Sequence, residues 1–342
     1  MTTVRIGWVG CGTHANEMLL PQITRHDVEL VAMCDTDADR LGRTARRFGV
    51  PEEGRTRDWS ALLARGDLDA VAVAAGPAGH LDVGLAALAM GLPVFVEKPP
   101  AATARAALGL ADAADRAGKP CVVGFMKRYS TANRIAANVI HGSGFGQPAS
   151  FLGEYMTAPT YFAKDPDYTG FYLHHCVHYL DLVPWLMGEV VSLGARAHEL
   201  APGKLLIHLD FRFAGGGIGT LVVGTHQSRG TPMEWWQVMA DHQRVEVRNV
   251  HEVRHVRAPP FKVSDPAASL ANETDTLVWE PNTTVAANED HKGYHALMAA
   301  FLKAARGEPN DAPTARDGAK AMALLETMIA AVGPGGRPLA GA

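Results

Sequence analysis

The first 125 residues alternate short apolar runs with helical patterns, and this alternation constrains the fold more than any other feature of the sequence. The apolar runs cover residues 4–9, 28–34, 69–75, 93–96 and 121–125, and a helical pattern follows each of the first four. Short runs that are apolar on both faces are typical of buried parallel strands. The alternation therefore predicts an α/β domain over residues 1–125, built on a doubly wound parallel sheet.

The pattern changes near residue 126, where longer alternating runs follow one another. These runs cover residues 147–156, 195–198, 204–213, 217–227, 235–240 and 244–256, with one helix at 171–187 after the first of them. Alternation of this kind predicts a mostly antiparallel sheet with one covered face. We therefore expect residues 126–342 to form an α+β domain with a large open sheet. Two closing helices at 290–306 and 315–331 and an irregular segment at 258–288 complete the prediction.

Composition and charge exclude several classes of function. The formal net charge is −4, from 32 basic and 36 acidic side chains, so no nucleic acid and no anionic membrane surface is expected as a partner. No uncharged apolar run approaches the length of about 18 residues that spans a bilayer, and no signal peptide pattern is present. The four scattered cysteines favour neither a disulfide scaffold nor a cysteine zinc site. These features predict a cytoplasmic protein without a metal.

The sequence Gly10-Cys11-Gly12-Thr13-His14-Ala15 lies between the first predicted strand and the first helix. A G-x-G-x-x-A turn in this place is typical of dinucleotide binding, because its backbone N–H groups approach a pyrophosphate at the helix N-terminus. We therefore predict cofactor contacts at Gly10, Gly12, Thr13 and His14. The alternative for the two glycines is an ordinary strand–helix turn.

Asp35 ends the second predicted strand, about 20 residues beyond the glycine turn, where a carboxylate accepts hydrogen bonds from the adenosine ribose. Because a carboxylate repels a 2′-phosphate, the sequence favours NAD over NADP. Arg40, one turn into the next helix, is also expected to lie near the cofactor and would be able to reach such a phosphate. The alternative for Asp35 is the N-cap of that helix.

Glu97-Lys98-Pro99 directly follows the strand pattern at 93–96. The carboxyl ends of strands in an open α/β sheet line the ligand crevice. A lysine at this end is able to hold a substrate hydroxyl or to take part in a proton relay. The alternative is a surface turn.

Several motifs in this order resemble the Gfo/Idh/MocA family, which includes glucose–fructose oxidoreductase and inositol dehydrogenase. They are the glycine turn, the sequence Ala74-Ala75-Gly76-Pro77 with His80, the tripeptide Glu97-Lys98-Pro99, and the sequence Gly124-Phe125-Met126-Lys127-Arg128-Tyr129. The resemblance implies a Rossmann domain that binds a nicotinamide dinucleotide. It also implies further cofactor contacts by Gly76, Pro77, His80, Glu97 and Lys98.

In that family a polar helix of the second domain reads D-x-G-x-H-x-x-D, and its aspartate and histidine act with the lysine on a sugar or cyclitol hydroxyl. The matching stretch here is residues 174–181. His178 falls on the family histidine and Asp181 on the trailing aspartate. His174 replaces the leading aspartate, and Cys176 takes the position of the small residue.

The spacing of these histidines indicates their chemistry independently of the resemblance. His174 and His178 are four residues apart, which places both on one face of an α-helix. Because an imidazole exchanges protons near neutral pH, we predict His178 as the general base, Lys98 as the group that holds the reacting oxygen, and His174 as an orienting or proton-passing residue. A metal held by His174 and His178 and a purely structural His178 are the alternatives, and His175 is expected only to pack. Asp181 is expected to be a structural hydrogen-bond partner.

Further substrate contacts are predicted from Arg128, in the segment that joins the domains, and from Tyr155 on the first strand of the second domain. The alternatives are a surface cation for Arg128 and its neighbour Lys127, and packing for Tyr155. The overall prediction is an oxidoreductase that moves a hydride between NAD, or less favourably NADP, and a secondary alcohol or ketone of a sugar, sugar derivative or cyclitol.

Two other functions remain open at this point. One is a redox-neutral enzyme that uses NAD transiently to cleave or epimerise a glycoside. The other is a non-catalytic regulator that senses a dinucleotide. Because relatives commonly pair through the large sheet, the resemblance also implies a homodimer or homotetramer.

Overall fold

A computed structural model describes residues 3–158, 167–227, 233–257, 276–281 and 290–332. The chain divides into two compact units. The N-terminal unit contains Met1–Met126 and Gly293–Ala323, and the C-terminal unit contains Lys127–Lys292 and Leu324–Ala342. The sequence analysis placed residues 293–323 in the second domain, so the structure divides the chain differently there.

The N-terminal unit contains the predicted doubly wound sheet. Its six parallel strands are β1 (Val4–Val9), β2 (Val28–Cys34), β3 (Arg55–Thr56), β4 (Ala70–Val73), β5 (Val94–Val96) and β6 (Cys121–Val123). Their order in the sheet is β3-β2-β1-β4-β5-β6. The order reverses between β1 and β4, and in open α/β sheets ligands bind outside the carboxyl ends of the strands at such a point.

The connections of this sheet are helical. After β1 a π-helical turn (Ala15–Leu19) leads into α1 (Leu20–Ile23), and the later helices are α2 (Ala38–Arg47), α3 (Trp59–Leu63), α4 (Pro77–Ala89) and α5 (Ala104–Ala117). The sequence analysis did not predict α3, because five residues show too little periodicity to distinguish them from a loop. The caps of α5 match its sequence: the side chain of Thr103 accepts a hydrogen bond from Ala106 N–H, and Gly118 ends the helix in a left-handed conformation.

Residues from the end of the chain complete the N-terminal unit. The helix α9 (Tyr294–Ala305) brings the ring of Phe301 to 5.6 Å from that of Phe95. The backbone N–H of Val123 donates to Pro313 C=O at 2.8 Å, just before α10 (Ala315–Val332) begins. These contacts explain why residues 293–323 belong with the parallel sheet.

The C-terminal unit contains an eight-stranded, mostly antiparallel sheet. Its strands are β7 (Ser150–Met156), β8 (Val190–Ala201), β9 (Lys204–Phe213), β10 (Ile218–Gly224), β11 (Met233–Ala240), β12 (Gln243–Arg248), β13 (Glu252–Val256) and β14 (Thr276–Trp279). The order is β14-β13-β12-β11-β7-β10-β9-β8, and only β7 and β10 pair in parallel.

Two details of this sheet differ from the prediction. The single strand expected at 244–256 is a hairpin, because Asn249 and Val250 take positive φ angles of 47° and 53° and turn the chain between β12 and β13. The strand β14 lies within the segment predicted as irregular. Residues 258–275 and 282–288 of that segment lie outside the described residues.

Helices cover one face of the eight-stranded sheet. The helix α6 (Thr131–Ile140), which the sequence analysis missed, is linked to the sheet by a hydrogen bond of 3.2 Å from Trp236 Nε1 to Asn133 Oδ1. The helix expected at 171–187 is interrupted. It consists of α7 (Thr169–Phe171), a π-helical turn (Tyr172–Cys176) and α8 (Val177–Met187).

The sheet also carries exposed apolar side chains, among them Leu152, Ile218 and Met239. Each of these residues lines a shallow cavity of about 520 Å³ on the sheet. Self-association through this sheet stays a prediction. Within the described part of the chain, no helix combines the length and the apolar character that crossing a membrane requires.

A buried ion pair fixes α8 in the C-terminal unit. Arg128 donates to both carboxylate oxygens of Asp181, at 2.8 Å from Nε and 2.5 Å from Nη2. The side chain of Asp181 is 1% exposed and that of Arg128 is 11% exposed. A bidentate pair of this kind is strong and geometrically specific. It joins the segment at residue 128 to the middle of α8.

We expect Asp181→Ala to lower the free energy of unfolding by about 3 kcal/mol, because it leaves the Arg128 guanidinium buried without its carboxylate. Urea unfolding measures this loss. The control is the double variant Arg128→Met/Asp181→Leu, which removes both charges and should recover most of the stability. A double variant as unstable as Asp181→Ala would show that packing, not the unpaired charge, causes the loss.

Candidate active site

The two glycines of the glycine turn have different surroundings: Gly10 is packed tightly against the backbone, and Gly12 faces empty space. Gly10 ends β1 with a φ of +99°, and a Cβ there would lie 2.3 Å from Ala74 C=O at the end of β4. Only glycine allows the two strand ends to come this close. A Cβ on Gly12 would meet no atom within 4 Å. The space over Gly12 therefore fits the close approach of a pyrophosphate, and Thr13 and His14 follow in the first helical turn.

A cavity of about 440 Å³ lies beside this turn at the carboxyl ends of the strands. Four of the predicted cofactor contacts line it, Gly10, Gly12, Asp35 and Arg40, whereas the other predicted contacts are not among its lining residues. The lining also includes residues that the sequence analysis did not predict as contacts, among them Thr36, Arg57, Trp59 and Val83. Arg57 directly follows β3 and Trp59 begins α3, and β3 itself has only two residues and leaves no apolar pattern in the sequence.

Asp35 is anchored by backbone groups. Its Oδ2 accepts from Cys11 N–H at 2.7 Å and its Oδ1 from Asp37 N–H at 2.9 Å. The N-cap of α2 is Asp37, whose side chain accepts from Arg40 N–H, so the capping alternative for Asp35 is wrong. Each carboxylate oxygen has a second lone pair for a ribose hydroxyl. A fixed carboxylate beside an open cavity fits the adenosine half of NAD.

Arg40 lies close to this carboxylate. Its Nη1 is 3.8 Å from Asp35 Oδ2, its Nη2 is 3.5 Å from Asp37 Oδ2, and its side chain is 46% exposed. In this position the guanidinium offsets part of the negative charge that would repel a 2′-phosphate.

His80 connects two backbone turns. Its Nδ1 is 2.8 Å from Pro99 C=O, and Gly76 N–H donates to its Nε2 at 3.2 Å. A carbonyl only accepts hydrogen bonds, so Nδ1 is the donor to Pro99. The side chain is buried, with 3% exposure. Both ring nitrogens thus bond to the protein backbone. These bonds let His80 brace Gly76, which caps α4 before Pro77, against the Lys98-Pro99 turn. A direct cofactor contact by His80 stays a prediction.

Glu97 is buried at the end of β5 beside Lys98. Its Oε2 accepts from Lys98 N–H at 2.9 Å, and its Oε1 lies 3.5 Å from His14 Nε2. Burial raises the pKa of Glu97, but the hydrogen bond from His14 and the charges of His14, Lys98 and His80 outweigh it, so the net pKa is lowered. Glu97 therefore stays charged and holds the backbone that carries Lys98.

In the C-terminal unit the three neighbouring histidines differ in burial. His174 is exposed, His175 is half-buried and His178 is 7% exposed. His174 lies in the π-helical turn Tyr172–Cys176 instead of the predicted α-helix, and His178 lies in α8. A π turn has i→i+5 hydrogen bonds and more residues per turn. Residues four apart still lie on nearly the same side of such a turn, so a common face for His174 and His178 stays a prediction.

The two cations at the start of this unit both have protein partners. Lys127 Nζ donates to Glu234 Oε2 at 2.6 Å, and Arg128 binds Asp181 as described above. The surface alternative is therefore wrong for both cations. The sequence analysis did not identify Glu234, because Glu234 and Lys127 are 107 residues apart and no local sequence pattern links them.

Tyr155 is buried and directed into the protein. Its hydroxyl lies 2.6 Å from His175 Nδ1, and the side chain is 8% exposed. The structure thus couples Tyr155 to the histidine that was expected only to pack. Substrate contacts by Tyr155 and Arg128 stay predictions.

Metal and thiol chemistry find no support in the described ranges. No group of three or more His, Cys, Asp and Glu side chains in them is arranged to hold a metal ion. Cys176, at the family's small-residue position, is buried. Burial raises the pKa of its thiol, which therefore stays protonated and a poor metal ligand.

Comparison with known proteins gives matches for both units. Residues 4–125 match the family model described as oxidoreductase family, NAD-binding Rossmann fold. Residues 143–339 match the model described as oxidoreductase family, C-terminal alpha/beta domain. The two models carry the names of the Gfo/Idh/MocA N- and C-terminal domains.

Individual relatives match over part of the chain. An inositol 2-dehydrogenase of Salmonella paratyphi B is 31% identical over 192 residues, which cover 55% of this chain and 55% of that protein. A D-apiose dehydrogenase of Paraburkholderia graminis is 26% identical over 226 residues, covering 64% of this chain and 56% of that protein. The matches therefore span little more than half the length of these curated relatives.

Solved structures match the fold over nearly the whole chain. A dehydrogenase from Chromobacterium violaceum superposes with a TM-score of 0.83 at 24% identity, covering 97% of this chain and 96% of that chain. A levoglucosan dehydrogenase in complex with NADH and levoglucosan gives a TM-score of 0.80 at 18% identity, covering 96% and 97%. Together with the two family models, the glycine turn and the Glu97-Lys98-Pro99 motif, this likeness in fold leads to one conclusion: the chain belongs to the Gfo/Idh/MocA oxidoreductase family.

Proposed function

We propose that the chain is an NAD-dependent oxidoreductase that interconverts a secondary alcohol and a ketone on a sugar, a sugar derivative or a cyclitol. The observation that carries this proposal is the cavity beside Gly12 and Asp35, which lies at the same sheet edge as Lys98 at the end of β5. The carboxylate of Asp35 favours NAD over NADP.

The substrate class rests on the names of the relatives. They are dehydrogenases of inositol, D-apiose and levoglucosan, all of them polyhydroxylated compounds that carry alcohol groups. A polyol of this kind is therefore the substrate class that we propose for this chain.

Two side chains carry the chemistry in this proposal. NAD, when bound, supplies a nicotinamide ring that accepts a hydride from the carbinol carbon. The Lys98 ammonium donates a hydrogen bond to the substrate oxygen and stabilises the negative charge that develops there. His178 takes the hydroxyl proton, a role that suits an imidazole because it gains and loses protons near neutral pH. The backbone bond from Lys98 to Glu97 and the brace through His80 keep the lysine at the end of β5.

We expect substitutions of the two glycines in this turn to have different effects: one on stability and the other on cofactor binding. Gly10→Ala should lower the free energy of unfolding by more than about 2 kcal/mol, because its Cβ meets the Ala74 carbonyl at a positive φ. Gly12→Ala should leave stability unchanged and weaken NADH binding about tenfold, because its Cβ enters the space of the pyrophosphate. Urea unfolding and NADH fluorescence titration measure the two effects. Unimpaired NADH binding by Gly12→Ala would count against a pyrophosphate at this turn.

Lys98→Ala and His178→Ala should each reduce turnover about a hundredfold or more while NADH still binds, because each removes a group that acts on the reacting oxygen. Turnover is measured from NADH absorbance in a screen of sugars, cyclitols and their ketones. The exposed residues Lys119 and His141 provide matched controls, Lys119→Ala and His141→Ala. Near-normal turnover in either site variant would remove that residue from the mechanism.

The same screen decides between the proposal and the two other functions. A dehydrogenase accumulates NADH mole for mole with the ketone. Substrate consumption without any NADH would point to the redox-neutral glycoside chemistry, and NADH binding without turnover of any polyol would point to a regulator.

Asp35→Ser should shift the preference towards NADP by about tenfold, because it removes the charge that repels a 2′-phosphate while Arg40 remains. The ratio of the NADPH and NADH dissociation constants measures the shift. Asp37→Ser is the matched control, since it removes a neighbouring carboxylate but retains a residue able to cap α2. An equal shift in both variants would mean that net charge near Arg40, not the position of Asp35, sets the preference.

A further inference from the structure

Arg57 lies at the carboxyl end of β3, beside the end of β2. The two strands run parallel, and Cys34 pairs with Thr56. Asp35 and Arg57 are therefore the residues that follow this last pair, and both line the cavity beside the glycine turn. In dinucleotide-binding sheets of this kind, the carboxylate after the second strand meets the adenosine ribose. Arg57 is thus a neighbour of the proposed ribose site, at a position that no sequence motif identifies.

The cavity is not purely acidic at this end. Among the described residues that line it, the charged side chains are one carboxylate and two guanidinium groups, those of Asp35, Arg40 and Arg57. The carboxylate repels a 2′-phosphate on the ribose, whereas each guanidinium attracts one. The tolerance of the site for NADP therefore depends on which of the two arginines is able to bind such a phosphate.

The guanidinium of Arg40 already faces two carboxylates. Its Nη1 is 3.8 Å from Asp35 Oδ2, and its Nη2 is 3.5 Å from Asp37 Oδ2. A phosphate at Arg40 would compete with both carboxylates and would be repelled by them. Arg40 is therefore better suited to offset these two charges than to bind a third anion.

Arg57 is bonded to a neutral group instead. Its Nε donates to Thr36 C=O at 2.9 Å, and in the described part of the chain neither Nη1 nor Nη2 has a hydrogen bond or an ion pair. The carboxylate next in sequence, Asp58, caps α3 and accepts from Ser60 N–H at 2.9 Å. Because a guanidinium has five N–H groups in a planar fork, four of those of Arg57 remain for a ligand or for water. The bond to Thr36 C=O holds this fork beside the residue that follows Asp35.

We propose that Arg57 is the residue that binds the 2′-phosphate of NADP, through the N–H groups of Nη1 and Nη2. Asp35 then makes NAD the preferred cofactor, and Arg57 limits that preference. This inference rests on the proposed function, in which the same cavity holds the adenosine half of the dinucleotide. It assigns the phosphate to Arg57 instead of Arg40, the arginine that the sequence analysis considered.

The dissociation constants of NADPH and NADH, measured by fluorescence titration, test this assignment. We expect Arg57→Gln to raise the Kd for NADPH about tenfold, because it removes charge-assisted hydrogen bonds to the phosphate, and the Kd for NADH less than about threefold. Retained NADH binding also shows that the variant is folded. An equal loss for both cofactors, or an unchanged Kd for NADPH, would overturn the proposal.

Two other arginines provide matched controls with the same change in net charge. Arg40→Gln removes the second guanidinium of the cavity, and Arg116→Gln removes an exposed one on α5. We expect each to raise the Kd for NADPH less than Arg57→Gln does. An effect of Arg40→Gln that is as large would return the phosphate to α2 and overturn the proposal. An equal effect of Arg116→Gln would overturn it too, because net charge rather than contact would then set the affinity.

A pair of probes without the nicotinamide ring isolates the phosphate contact. ADP-ribose and its 2′-phosphorylated form differ only in that group, and calorimetric titration measures the binding of both. Arg57→Gln should weaken the binding of the phosphorylated form about tenfold and that of ADP-ribose less than about threefold. Equal effects on the two probes would overturn the proposal.

The outcomes also separate this inference from the proposed function. A wild-type protein that binds neither NADH nor NADPH would contradict the proposed function. A wild type that binds NADH but no NADPH would contradict only the role of Arg57, as would NADPH binding that Arg57→Gln leaves unaltered.

Discussion

The buried charge of Glu97 is the constraint on which the catalytic edge of the N-terminal unit depends. Its carboxylate fills the space beside Gly124, where a Cβ would lie 2.6 Å from Oε1. Its second oxygen holds the backbone N–H of Lys98. Because burial alone would favour the neutral acid, the charge persists only through His14 and the other cations nearby. The position of the proposed catalytic lysine and the start of the helix after the glycine turn are therefore linked through one carboxylate.

Buried charges also organise the C-terminal unit, but in a different way. Two adjacent residues, Lys127 and Arg128, send their cations in different directions: one to Glu234 on β11 and the other to Asp181 on α8. Each pair joins the segment after the parallel sheet to a distant element. A one-residue shift in this segment would separate both cations from their carboxylates at once, which makes its register far more specific than apolar packing alone would.

The sequence was sufficient where local physics decides the structure. The strands Val4–Val9 and Val28–Cys34 have the predicted ends, since a buried parallel strand is an uninterrupted apolar run and the following glycine or aspartate marks its end. The sequence was insufficient where contacts between residues far apart in the chain decide the local structure. Neither the π-helical turn at Tyr172–Cys176 nor the bond from Tyr155 to His175 leaves a periodic signal, because both depend on residues that meet only in the folded unit. The hairpin at Asn249 was missed because the strands on either side of it, β12 and β13, continue a single alternation of apolar and polar residues in the sequence.

This difference bears on where substrate specificity resides. The predicted cofactor contacts include positions at which the backbone itself would approach the ligand, such as Gly12, and such positions are recognisable as motifs. The predicted substrate residues are histidines, whose tautomers and ring orientations depend on neighbouring side chains. At the position of the family aspartate this chain has His174, which is exposed, and the next residue, His175, lies 2.6 Å from the Tyr155 hydroxyl through its Nδ1. An imidazole N–H only donates, whereas a carboxylate only accepts. At position 174 the chain therefore offers a hydrogen-bond donor where the helix of the resembled family offers only acceptors.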